Sequence, residues 1–285
     1  MPRVHADELD VPESLVRALL EEQFPQWADL PLERVEPDGT VNVIYRLGDD
    51  LSVRLPRRDG PEEEDDVEAL WLPFLAPRLP VEVPLPLGRG RPGSGYPWYW
   101  SIHTWLHGES PEGPLRAEEL ADLLRALQGL ETAGAPEPAG GRGRLLALRD
   151  LAVRDALERV EAPGALELWE LAMAAPEWAG ARVWVHADLD ARNVLVRDGR
   201  LTGVIDWGGM GAGDPAVDVM AAWKLVARDE RERLRRLLAV DDDTWLRAQG
   251  WVVSQALIAL GYYTEQTNPA LVREARRWLA EALPR

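Results

Sequence analysis

Apolar residues recur at helical spacing from Pro12 to Phe24 (PESLVRALLEEQF), and the leading proline and acids suit a helix N-terminus. From residue 31 to 56 the period changes to two. Val41–Leu47 and Leu51–Leu55 alternate, with turns at Asp38-Gly39 and Gly48-Asp49-Asp50, so this stretch reads as strand, turn, strand, turn, strand. Residues 61–75 open with Pro61 and the acidic run Glu62–Asp66, then continue Val67, Leu70, Trp71 and Phe74, a second helix with its acids on a solvated face. Two more strands flank a turn-rich GRGRPGSG within residues 80–106. Helical patterns follow near 116–130, 145–175 with a break at Pro163-Gly164, 214–226, 229–239, 243–263 and 269–282, and Gly134–Gly143 reads as a loop. Among these helices three short apolar runs, Val183–Val185, Val194–Val196 and Val204–Ile205, read as small buried strands. A small sheet followed by helices predicts an α+β chain.

Composition narrows the function classes. The 285 residues suffice for a sizeable core, and no apolar run approaches the length of a membrane span. The N-terminal MPRVHADELDVPE does not resemble a signal peptide, which leads to an expected cytoplasmic location. Without cysteine there is no disulfide, thiolate chemistry or cysteine–zinc site. The net charge of −17 argues against nucleic acid or an anionic membrane as partner. It is compatible with a cationic small molecule, although an acidic surface also serves solubility alone. Lys224 is the only lysine in the chain.

The segment Val183–Asp206 carries the chemistry. Its polar skeleton is His186-x-Asp188, Asn193 five residues after that aspartate, and Asp206, each at the edge of an apolar run. Oxygen-bearing side chains on strand ends suit gripping Mg²⁺ and aiming a hydroxyl at a phosphate. The arrangement resembles the catalytic loop of the protein-kinase-like fold, and more closely the aminoglycoside phosphotransferase family, with its H-G-D-x-x-x-x-N, short hairpin and I-D-[WF]-[GE]. Gly211-Ala-Gly213-Asp214-Pro215-Ala-Val-Asp218 matches that family's G-x-G-D-P-x-x-D, and the resemblance covers most of the chain. It implies two lobes: an N-terminal sheet lobe over residues 1–102, a hinge at 103–107 and a mainly helical lobe over 108–285. It also implies an ATP- or GTP-dependent kinase for a small-molecule hydroxyl, aminoglycoside-like or else a macrolide, choline, homoserine or sugar, acting as monomer or homodimer. An inactive nucleotide-binding protein is the rival. A protein kinase is disfavoured, because Gly-Asp-Pro follows Asp206 where that class has a long activation loop.

By the same resemblance Asp188 is the catalytic base, Asn193 and Asp206 hold Mg²⁺, and His186 is structural. Asp214 and Asp218 support the loop, Asp214 as cap of a helix opened by Pro215. In the N-terminal lobe Asn42, in the turn Gly39–Asn42, would lie over the phosphates. Arg54 stands where the fold has a phosphate-contacting lysine, with Glu68 as its expected partner, and backbone near His103, Thr104 and Trp105 would meet the base. Gly88-x-Gly90-x-x-Gly93 matches a dinucleotide motif in letters only, since Pro92 and an aromatic strand follow instead of a helix. Candidates for the acceptor site are Asp190, where the family more usually has histidine, together with Trp251, Gln255, Tyr262, Tyr263 and Glu265. The stripe Trp251, Gln255, Tyr262 reads equally well as core.

Overall fold

The computed structural model describes residues 9–36, 42–58 and 66–283, which fall into two compact units. The first comprises residues up to Pro77 together with Glu82–His107, the second Arg78–Val81 and Gly108 onward. His103 and Thr104, expected in a hinge, lie in the last strand of the first unit.

The first unit is an antiparallel five-stranded sheet, β1 (Leu32–Arg34), β2 (Asn42–Leu47), β3 (Leu51–Pro56), β4 (Pro86–Gly90) and β5 (Trp100–Thr104), in the order β1-β2-β3-β5-β4. Alternation in β2 sends Val43, Tyr45 and Leu47 inward. There they join Val53 and Leu55 of β3, Ile102 of β5, and Val16, Leu19 and Leu20 of α1 (Glu13–Gln23) in one core. The second helix, α2 (Val67–Leu75), buries Leu72 and Leu75 and leaves Leu70 exposed. Asp66 is not merely part of a solvated run, for its carboxylate accepts the amides of Glu68 and Ala69 as N-cap and pairs with Arg89 at 2.8 Å. The rest of the run, Glu62–Asp65, lies outside the described residues, as do Gly39–Val41.

The glycines of the false dinucleotide motif answer to aromatic packing. A Cβ on Gly90 would lie 1.9 Å from the Trp100 ring, and one on Gly88 would lie 2.7 Å from Phe24. No helix starts there, and Gly93 and Tyr96 exchange backbone hydrogen bonds in a turn.

In the second unit β6 (Val183–Val185) pairs with β9 (Gly211–Gly213), and β7 (Val194–Arg197) forms a hairpin with β8 (Arg200–Val204). Around them lie α3 (Ala117–Gln128), α4 (Asp150–Leu157), α5 (Ala165–Ala174), α6 (Ala216–Val219), α7 (Ala221–Leu225), α8 (Arg231–Leu238), α9 (Asp242–Tyr262) and α10 (Pro269–Ala282). The pattern over 214–226 yields two short helices rather than one, and the 145–175 pattern breaks at Gly164, which has φ +80. Helix α9 is the hub, burying Trp251, Val252, Val253, Ala256 and Leu257 against α4, α5, α6 and α10. At Gly250 the approach is so close that a Cβ would lie 2.7 Å from that of Ala172. Among the described residues no helix is long and apolar enough to cross a membrane.

Candidate active site

The loop between β6 and β7 turns sharply at Ala187, whose φ of +69 lies in the left-handed region. The family pattern has glycine here, and a Cβ in this conformation costs on the order of 1 kcal/mol. Asp218 of α6 offsets the strain, its two carboxylate oxygens accepting the amides of His186 and Ala187 at 2.8 Å each. Burial pushes the Asp218 carboxyl up against the opposing pull of His186 and the two amides. The amide of Asp188 donates to His186 Nδ1 at 3.2 Å, so the ring proton sits on Nε2 and donates to the Ile205 carbonyl at 3.0 Å. The ring also meets Trp207 edge-on, 4.7 Å between centroids. His186 thus ties the Asp188 turn to the strand end before Asp206, and its ring nitrogens are both engaged by backbone.

Hairpin register sets the other two oxygens. Val194 pairs with Val204, and the Ile205 amide donates to the Asn193 carbonyl at 2.9 Å, so Asn193 sits across from the residue preceding Asp206. Asn193 Nδ2 donates to the Asp188 carbonyl at 2.8 Å, so Oδ1 takes no part in that bond. Asp206 is exposed, with φ +63 and no hydrogen-bond or ion-pair partner among the described residues. One amide and one carboxylate oxygen at adjacent strand ends fit a hard cation such as Mg²⁺. Among the described residues no three His, Cys, Asp or Glu side chains cluster as a metal cage.

Asp188 is not alone. Arg142, from the Gly/Pro-rich loop before α4, places Nη1 2.9 Å from Asp188 Oδ2. Burial would raise the Asp188 carboxyl, but Arg142 and then Lys224 outweigh it and hold it below the usual range. The Gly-x-Gly of the downstream motif explains how Arg142 arrives. A Cβ on Gly211 would meet the Pro138 nitrogen at 2.5 Å, and one on Gly213 the Gly143 carbonyl oxygen at 2.6 Å. The amides of Ala212 and Asp214 donate to Pro136 and Gly143 at 2.8 Å. The loop therefore lies flat on β9. No motif in the chain announced Arg142, because its position depends on that distant packing. Arg247 was likewise unannounced: from α9 it grips the capping Asp214 at 2.7 Å. Asp214 also accepts the Ala216 amide, as expected of a cap.

The acceptor candidates do not come together. Asp190 adds no exposed negative charge, being fully buried and clasped by the Arg192 guanidinium and amide. Trp251 is completely enclosed in the core and so presents no face to a ligand. The Gln255 side-chain oxygen accepts from Lys224 Nζ. Tyr262 is exposed at the end of α9 and stacks edge-on with Tyr263. Glu265 pairs with Arg276 at 2.6 Å. A stripe drawn at spacings of four and seven thus runs from core to solvent. Lys224 itself is buried, over the Trp278 ring at 4.2 Å, and burial lowers it to about 8.

In the first unit Arg54 and Glu68 meet at 3.2 Å, both mostly buried. Asn42 opens β2 opposite Pro56. His103 is buried in β5, and burial together with the Arg54 charge pushes it down to about 3, so its ring is neutral at ordinary pH. The amides of Thr104 and Trp105 already donate to Leu85 and Asp50 carbonyls, at 2.9 and 2.6 Å. Those two amides are thus engaged by backbone carbonyls of the first unit.

The model of the phosphotransferase enzyme family matches residues 33–251. The chain belongs to the phosphotransferase enzyme family. A curated relative of this family member, the uncharacterized protein YcbJ of Bacillus subtilis strain 168, is 26% identical over 204 residues, 64% of this chain and 65% of its own. This phosphotransferase-family chain thus spans just under two thirds of that relative's length. Among solved structures, the GDP and kanamycin complex of APH(2")-IIIa superposes with a TM-score of 0.72 at 18% identity, covering 94% of this chain and 97% of the other. The macrolide 2'-phosphotransferase MphH from Brachybacterium faecium gives 0.60 at 21%, covering 96% and 99%. The fold of this family member is accordingly kinase-like, α+β with an N-terminal antiparallel sheet.

Proposed function

We propose that the protein transfers the γ-phosphate of ATP or GTP to a hydroxyl of a small molecule. The observation that carries this is the joint placement of Asp188, Asn193 and Asp206 on one loop and one hairpin end, with His186 and Asp218 holding the turn. Family membership and the kinase-like fold support it, and the solved neighbours include nucleotide complexes.

Asp188, kept ionised by Arg142, accepts a hydrogen bond from the acceptor hydroxyl and takes its proton as transfer proceeds. Asn193 Oδ1 and the Asp206 carboxylate would hold Mg²⁺, a hard cation suited to oxygen donors. When bound, Mg²⁺ neutralises charge on the transferring phosphate. Arg54, fixed by Glu68, supplies a cation for the other phosphates in place of the usual lysine.

That replacement is the one feature favouring a silent nucleotide-binding protein. The two readings separate by nucleotide consumption with Mg²⁺ across a panel of small alcohols, with Asp188→Ala as control. Stimulation by a panel member that vanishes in the control is the expected result. Stimulation equal in both proteins would remove Asp188 from its role.

A further inference from the structure

We propose that Arg142 is a positioning residue that protects bound nucleotide from hydrolysis. By holding one carboxylate oxygen of Asp188 it keeps the base from serving water and leaves it to a hydroxyl that the acceptor's own contacts bring into line. This rests on the phosphotransferase reading above.

The contact is direct. Arg142 Nη1 lies 2.9 Å from Asp188 Oδ2, with the two side chains 34% and 20% exposed. Asp188 Oδ1 accepts no hydrogen bond from the described residues. Lys224, whose charge also reaches Asp188, directs its ammonium at the Gln255 side-chain oxygen and lies over the Trp278 ring. Arg142 is therefore, among the described residues, the cation in ion-pair contact with the base.

The loop is shaped to deliver that contact. It is fixed on β9 at two points, where the amides of Ala212 and Asp214 donate to the carbonyls of Pro136 and Gly143 at 2.8 Å. Between these anchors Gly140 and Gly141 turn the chain with φ +64 and +70, and Gly143 follows at +71. A Cβ on Gly140 or Gly141 would meet nothing within 4 Å, so the left-handed backbone, not packing, asks for glycine there. Glycine raises the entropic cost of ordering a loop, and at Gly140 and Gly141 no core contact offsets it. What the bend achieves is the aim of Arg142 at Asp188.

A carboxylate offers about four lone-pair sites over its two oxygens. In hydrolysis a water oxygen bonds to the γ-phosphorus and the bond to the β,γ-bridging oxygen breaks. The water proton passes to the base, and nucleoside diphosphate and inorganic phosphate result. In transfer the acceptor hydroxyl stands in place of water. An open carboxylate serves either nucleophile. With Oδ2 held by a guanidinium, approach narrows to Oδ1. Water has little besides the base to orient it, whereas an acceptor is placed by the rest of its surface, so the narrowing penalises water more.

The test is acceptor-free phosphate release by the full-length protein with Mg²⁺-ATP and, separately, Mg²⁺-GTP. At saturating nucleotide Arg142→Gln should release phosphate about tenfold faster than the wild type, the scale of one hydrogen bond to a charged group. Arg142→Lys keeps a cation and should stay near the wild type. Gly141→Ala leaves the guanidinium unchanged but strains the backbone that aims it, and should fall between. Adding Asp188→Ala to Arg142→Gln should abolish the gain, a readout that a merely structural role for Arg142 would not move. Release at or below the wild-type rate in Arg142→Gln, or a gain that survives Asp188→Ala, would overturn the proposal. Calorimetric nucleotide binding keeps the two readings apart. A wild type that binds no Mg²⁺-nucleotide counts against the phosphotransferase reading itself, whereas binding without the gain counts against Arg142 alone.

Discussion

At the residue scale, Asp188 is governed by its neighbours more than by its motif. Loss of a general base costs roughly 10²–10⁴-fold, so Asp188→Ala should lower kcat by about that factor while nucleotide affinity holds. Isothermal calorimetry beside steady-state kinetics separates the two. Arg142 lowers the Asp188 carboxyl, so removing its charge in Arg142→Gln should raise that pKa. A base is active when deprotonated, and the acid limb of the pH–kcat profile should therefore move to higher pH. An acid limb that stays put would mean that Arg142 does not control the base. For Arg54, substitution by lysine keeps the charge but not the fork that meets Glu68. Survival of Mg²⁺-nucleotide affinity in Arg54→Lys would assign the site to charge alone, and a tenfold or greater loss to the bidentate geometry.

At the element scale, the β6–β7 turn is strained at one residue and held by another. Ala187→Gly should stabilise the protein by about 1 kcal/mol, because glycine adopts φ +69 without the Cβ clash. Urea denaturation would read this, and a loss of stability would show that the turn relaxes in solution. Asp218→Ala removes the acceptor for two buried amides and should cost about 2–4 kcal/mol. The hairpin β7–β8 plays a quieter part: its register alone brings Asn193 beside Asp206. The loop that carries Arg142 owes its position to two glycines of β9, and a Cβ at either would displace it.

At the scale of the whole molecule, global charge and local charge have opposite signs. The chain carries 49 acids against 32 bases, yet the ion-pair partners of Asp188 and Asp190 are arginines. Lys224 tests how firmly that interior is packed. Its pKa falls from 10.5 to about 8 through burial, so the folded state sheds its proton before the unfolded state does. Below about pH 8 both states are protonated and the fold bears the full penalty of a buried cation. Between 8 and 10.5 the penalty disappears as pH rises, so this group's contribution to stability improves across that window. Lys224→Met should therefore exceed the wild type in stability at pH 7.5 and lose most of that advantage by pH 10.5, read as paired denaturant midpoints. A constant difference across that range would mean that Lys224 reaches solvent.

The elements and the placement of the loop residues were legible in the chain because both are local. Alternation built β2 and β3, helical spacing built α1, α3 and α10, and the polar residues at strand edges marked Asp188, Asn193 and Asp206. The Arg54–Glu68 pairing was also within reach, since a strand and the following helix bring them together. What escaped was set by packing between segments far apart in sequence. Arg142 reaches Asp188 only because Gly211 and Gly213 admit its loop, Arg192 turns Asp190 from a ligand candidate into a buried pair, and α9 is hub rather than pocket wall at Trp251. Sequence determined which candidate residues stand on the loop and the hairpin; tertiary structure decided the charge each one meets, because an electrostatic environment is a sum over neighbours that periodicity does not record.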